Sequence, residues 1–185
     1  MVNRMLALQM PEGGWFEAYN IFNYSVNSYF RLVGPISLLG ISLLKYANSD
    51  NATIQEKDRI YASVERAAQY ILTFQKTDSA LATYGSISGG ITDTDTIAWW
   101  TSMEHNVDAL VLLSDIGYHN EARLVANWII TQMWNGQYFE TGYADENGTI
   151  DTVNGEKIDA QAWTILSLDA TKNITGINPW NYISA

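Results

Sequence analysis

Two kinds of apolar pattern alternate along the chain. In residues 54–75 apolar side chains recur at helical spacing, with Ile60, Val64, Ala67, Ala68 and Ile71 on one face and Glu56, Arg59, Glu65 and Arg66 largely off it. That spacing predicts an amphipathic helix with one wet side. A second such helix is expected over 119–133. Residues 36–47, 109–115 and 158–170 are instead apolar on most faces, as helices surrounded by protein are. In the middle one no polar residue interrupts Ala109 to Leu113, and Gly117 supplies the stop. Gly34-Pro35 opens the first, with proline where its missing N–H costs little. Residues 2–9 predict a helix already under way, broken by Met-Pro-Glu-Gly-Gly. A chain that opens inside a helix suggests a fragment. Residues 18–33 read as loop and short helix, 76–96 and 134–156 as loops, and Asn173 to Ala185 as an irregular tail.

One order underlies these segments: amphipathic helix ending in Gln, loop with Gly and aromatics, apolar helix. It occurs three times, marked by Gln9, Gln75 and Gln132, which lie 66 and 57 residues apart. Its apolar members are Ile36–Ala47, Ala109–Asp115 and Ala162–Leu168. Concentric hairpins require half-buried outer helices and fully buried inner ones. A simple bundle would give every helix a polar stripe. The expected fold is therefore all-α, a single domain over 1–185 of about three concentric helical hairpins.

Arg66-Ala67-x-x-Tyr70-Ile71-x-x-x-Gln75 resembles the front half of the Gln–Trp repeat of terpenoid cyclases. Leu6-x-x-Gln9-x-x-x-Gly13-Gly14-Trp15 is similar to its back half, and Gln132…Gly136-x-Tyr138-Phe139 is a looser copy. The same hairpin toroid is shared by many α/α-barrel glycoside hydrolases and polysaccharide lyases. The resemblance implies an α/α toroid of which roughly half is present. An open edge of such a ring would leave inner helices poorly covered, so self-association or a missing partner segment is expected. Asp93-Thr-Asp95-Thr-Ile-Ala98 invites comparison with the acid motif of squalene-type cyclases but lacks its consecutive Asp pair. An Asp-rich magnesium–diphosphate motif is also absent, which counts against prenyl chemistry.

Composition narrows the partners. A net charge of −10 disfavours nucleic acid and anionic membranes. No apolar run reaches the roughly 18 residues of a membrane span. With no cysteine, thiolate chemistry is excluded. The scarcity of Lys and the sequons at Asn23, Asn51, Asn147 and Asn173 point towards the outside of a cell. With two histidines, His105 and His119, a multi-histidine metal site is not expected, and no cofactor is implied.

The candidate chemistry gathers where acids and aromatics precede the apolar helices. In α/α toroids the N-terminal ends of inner helices open onto a shared cleft, which would set Glu104 and Asp159 across from each other. Glycoside hydrolysis needs two carboxyl groups roughly 5–10 Å apart, one an acid and one a base or nucleophile. Glu104 is assigned as general acid, its pKa raised by burial beside the tryptophans, and Asp159 as base. Trp15, Trp99, Trp100, Tyr143 and Trp163 would offer faces for sugar rings, although helical spacing also suits Trp163 to the core. His105, Asn106 and Asp108 complete the polar set; Asn106 and Gln161 could alternatively bond helix ends. Asp93 and Asp95 are expected to cap a helix. The functional expectation is a carbohydrate-active enzyme acting on a polysaccharide or oligosaccharide. The alternatives are a non-catalytic module that binds glycan or protein, and a terpenoid-cyclase-like protein.

Overall fold

The computed structural model describes residues 2–152 and 157–183. Helices dominate: α1 (Val2–Leu8), α2 (Val33–Ala47), α3 (Ile54–Leu72), α4 (Met103–Ile116), α5 (His119–Trp128), α6 (Ile158–Thr175) and α7 (Trp180–Ile183). The two periodicities seen in the sequence sort them into layers. The apolar helices α2, α4 and α6 lie side by side, α2 on α4 and α4 on α6. The amphipathic α3 packs on both α2 and α4, and α5 packs on both α4 and α6, while α1 rests on α3.

Local capping sets the ends of α3 and α4. A capping box starts α3: Thr53 Oγ1 accepts the Glu56 N–H and Glu56 reaches back to the Thr53 N–H. Ser102 caps α4, and Gly117, with φ of 96°, ends it in the left-handed conformation that glycine tolerates. Past Trp128, α5 widens into a π-helical turn over Ile129–Met133. The tail departs from expectation. Helix α6 runs on to Thr175, and α7 follows where irregular chain was expected; residues 184–185 lie outside the described residues.

Short strands replace much of what reads as loop. β1 (Ala18–Tyr19) and β2 (Val26–Ser28) form a hairpin, and β3 (Arg31–Leu32) runs directly into α2. β4 (Gly90–Ile91) pairs antiparallel with both β3 and β5 (Ile97–Ala98). β6 (Thr101–Ser102) runs directly into α4 and pairs with β7 (Gly142–Tyr143). Runs of two or three residues carry too little alternation to be read from sequence. The protein is thus mainly helical with small antiparallel sheets at the N-terminal ends of α2 and α4. Asp93 and Asp95 lie in the β4–β5 turn rather than at a helix end. Asp95, at φ of 64°, pairs with Arg31, so the capping expectation is corrected.

The Gln markers have a common structural role in the first two repeats. Gln9 donates to the carbonyls of Gly13 in its own turn and of Ser63 on α3. Gln75 donates to the carbonyls of Gly85 in its own turn and of Glu121 on α5. Gly13 and Gly85 have positive φ, and a Cβ on either would collide with a helix carbonyl, Arg66 on α3 or Leu124 on α5. Each turn is thereby clasped to the amphipathic helix that follows, α3 or α5. The third turn differs: Gly136 keeps a positive φ but faces open space, and Gln132 is exposed.

Candidate functional site

The three apolar helices keep a shared register. Their second residues are Gly34, Glu104 and Asp159, and their sixth are Leu38, Asp108 and Trp163. All but Gly34 line one groove of about 450 Å³ together with Ala160, Ala162 and Leu166. A second cavity of about 430 Å³ adjoins it, sharing Glu104 and Ala160. Its wall includes Trp100, Thr101, His105, Tyr143, Asp151 and Lys157. Glu104 and Asp159 therefore both line one groove.

Their environments differ from those anticipated. Glu104 is exposed, so the expected burial beside tryptophans does not hold for it. The buried carboxyl is Asp108, 3% exposed and one helical turn further along α4. Loss of water pushes its pKa up to about 7; the neighbouring Glu104 charge adds to the rise and a hydrogen bond from Trp163 opposes it. Trp163 Nε1 donates to Asp108 Oδ1 at 2.8 Å. Trp163 keeps 39% of its surface exposed, which corrects the core reading. Asp159 is exposed, and its Oδ1 accepts the Ala160 N–H.

His105 fills the wall between α2 and α4. Its ring meets Trp100 at 5.3 Å between centroids and abuts the backbone at Gly34, where any Cβ would collide with it. Burial holds its pKa down to about 4, so the imidazole is neutral at pH 7. Trp100 in turn lies flat over Gly89, where a side chain would strike the indole. Thr101 Oγ1 and His105 Nδ1 are buried without partners among the described residues, and both residues line the second cavity.

Other expected residues do different work. Trp15 is buried and its indole N–H donates to the Met5 carbonyl, so it offers no face to a ligand. Asn106 is fully buried: its amide nitrogen donates to the Ile87 and Ser102 carbonyls, and its oxygen accepts the Ile87 N–H. That is the helix-end role rather than ligand binding. Gln161 holds both backbone groups of Phe139 in the same way from the same position of α6. Tyr143 is 3% exposed and packs on Trp128, so it offers little open face to a sugar ring. Trp99 is exposed, with the Lys76 ammonium 4.6 Å from its ring centroid, and lies outside both cavities. Leu38, Leu166 and Lys157 belong to the site's walls but carried no chemical signal in the sequence.

Among the described residues no cluster of metal-binding side chains occurs, and no helix is long and apolar enough to cross a membrane. Comparison with family models, curated proteins and solved structures finds no match.

Proposed function

We propose that the chain is a glycoside hydrolase-like, carbohydrate-active protein built as a partial α/α toroid. The layering of amphipathic helices outside apolar ones supports the toroid reading. The observation that carries the function is the groove itself: three carboxyl groups, Glu104, Asp108 and Asp159, converge on it beside the exposed Trp163 ring. Hydrolysis of a glycosidic bond needs a protonated carboxyl and an ionised one, and a flat apolar surface to seat a sugar. Among the described residues no cation lines this groove, and Lys157 contributes to the adjoining cavity alone. An acid-lined cleft repels uronates, so the substrate is a neutral glycan.

The test is a panel of neutral glycans and polyuronates, read by new reducing ends and by thermal shift. New ends from a neutral member, with none from polyuronates, are expected. Cleavage confined to polyuronates would overturn the substrate class. A thermal shift without products would favour a glycan-binding module, a reading the exposure of both Glu104 and Asp159 also suits.

A further inference from the structure

We propose that Asp108 is the proton-donating carboxyl of the groove and that the Trp163 indole is the positioning group that aims it. The inference rests on the hydrolytic reading above and replaces Glu104 in the acid role.

The geometry sets the three carboxyl groups apart. Asp108 is almost fully withdrawn from water yet belongs to the groove wall, whereas Glu104 and Asp159 are solvated. Among the described residues, the Trp163 N–H is the one donor that reaches the Asp108 carboxyl. A single neutral N–H is too little to hold a buried carboxylate ionised, which burial alone makes costly. The charged groups around Asp108 reinforce this. On its own helix Glu104 lies one turn earlier; on α6 Asp159 lines the same groove; α2 contributes only Leu38 there, its Lys45 interacting with Asp115 instead. Asp108 therefore keeps its proton to about neutral pH, with Oδ1 tied to the indole. Trp163 is also a groove-facing ring, so one side chain both seats a sugar and orients the acid.

The step balances with water as the only other reactant. The Asp108 proton passes to the glycosidic oxygen while the bond from that oxygen to the anomeric carbon breaks, the electron pair staying on the departing oxygen. A carboxylate, Asp159 or Glu104, takes a proton from water, whose oxygen bonds the anomeric carbon. Transfer of that proton back to Asp108 through solvent restores the site.

Two measurements test this independently. The first follows the indole ¹H–¹⁵N signals from pH 4 to 9, assigning Trp163 by its loss in Trp163→Phe. An inflection of that signal near pH 7, absent in Asp108→Asn, is expected. A signal that titrates below pH 5, or is unaffected by Asp108→Asn, overturns the proton-bearing assignment. The second compares hydrolysis of the neutral glycan cleaved by the wild type. Asp108→Asn is expected to lower kcat at least about a hundredfold with KM little changed. Trp163→Phe is expected to move the alkaline limb of the kcat profile, which a merely structural tryptophan would leave in place. Wild-type turnover by Asp108→Asn overturns the donor role. Failure of the wild type to cleave any glycan removes the hydrolytic reading and the donor role with it, while the indole titration still decides where the proton sits.

Discussion

Asn106 shows how a residue that looks chemical can be wholly structural. Its side-chain amide satisfies both backbone groups of Ile87, tying the loop before β4 to the first turn of α4. Asn106→Ala should leave a buried N–H and two carbonyls short of partners, costing about 2–4 kcal/mol by denaturant unfolding. Wild-type stability in that variant would show that water replaces the amide. Glycines give a sharper contrast. Gly13→Ala meets both a strained φ and the Arg66 carbonyl, whereas Gly136→Ala meets only the strained φ. The first should cost several times more than the roughly 1 kcal/mol expected of the second. Equal losses in the two Tm values would mean that the first turn is not clasped to α3.

Among the elements, the longer helices were legible, whereas the strands and the short α7 were not. Helix α3 declares itself through its Ile60–Ile71 face, and the structure adds the Thr53–Glu56 box at its start. Thr53→Ala should lower stability by about 1 kcal/mol without altering the groove; an unchanged melting curve would show the box to be idle. Helix α6 was legible as a helix but not in its facing. Thr164, Ser167, Thr171 and Thr175 are buried, and Ile158, Ala162, Leu166 and Ala170 are exposed. The buried hydroxyls of Thr164, Thr171 and Thr175 each bond a carbonyl one turn back, so they satisfy themselves within the helix and pack as small apolar groups would. Local pattern therefore could not say that Trp163 faces the groove. Nor could it separate Glu104 from Asp108, because four residues on one helix share a face while their burial depends on Trp163, far along the chain.

For the whole molecule, two perturbed groups of the site, His105 and Asp108, pull stability in defined directions. His105 has a folded pKa below its ordinary value of 6.5, so the unfolded chain binds its proton first. Its contribution is intact above pH 6.5 and is lost as pH falls towards 4. Asp108 has a folded pKa above its ordinary 3.8, so its contribution is intact below that value and is lost as pH rises through about 7. The two slopes oppose each other between about pH 4 and 6.5, so Tm is expected to change little there and to slip as pH approaches about 7. Asp108→Asn should leave the His105 contribution alone, so that Tm rises with pH from about 4 to 6.5 and is level above it. A Tm that still drops between pH 5 and 8 in that variant would point to other groups.

The clasps between repeats carry a last consequence. Gln75 and Gly85 address the backbone carbonyls of Glu121 and Leu124, not their side chains. Any sequence that forms a helix there presents the same oxygens at the same pitch. The outer surface is therefore free to drift under mutation while the spacing of the layers stays fixed. Selection on this fold can rewrite its exterior without moving the groove.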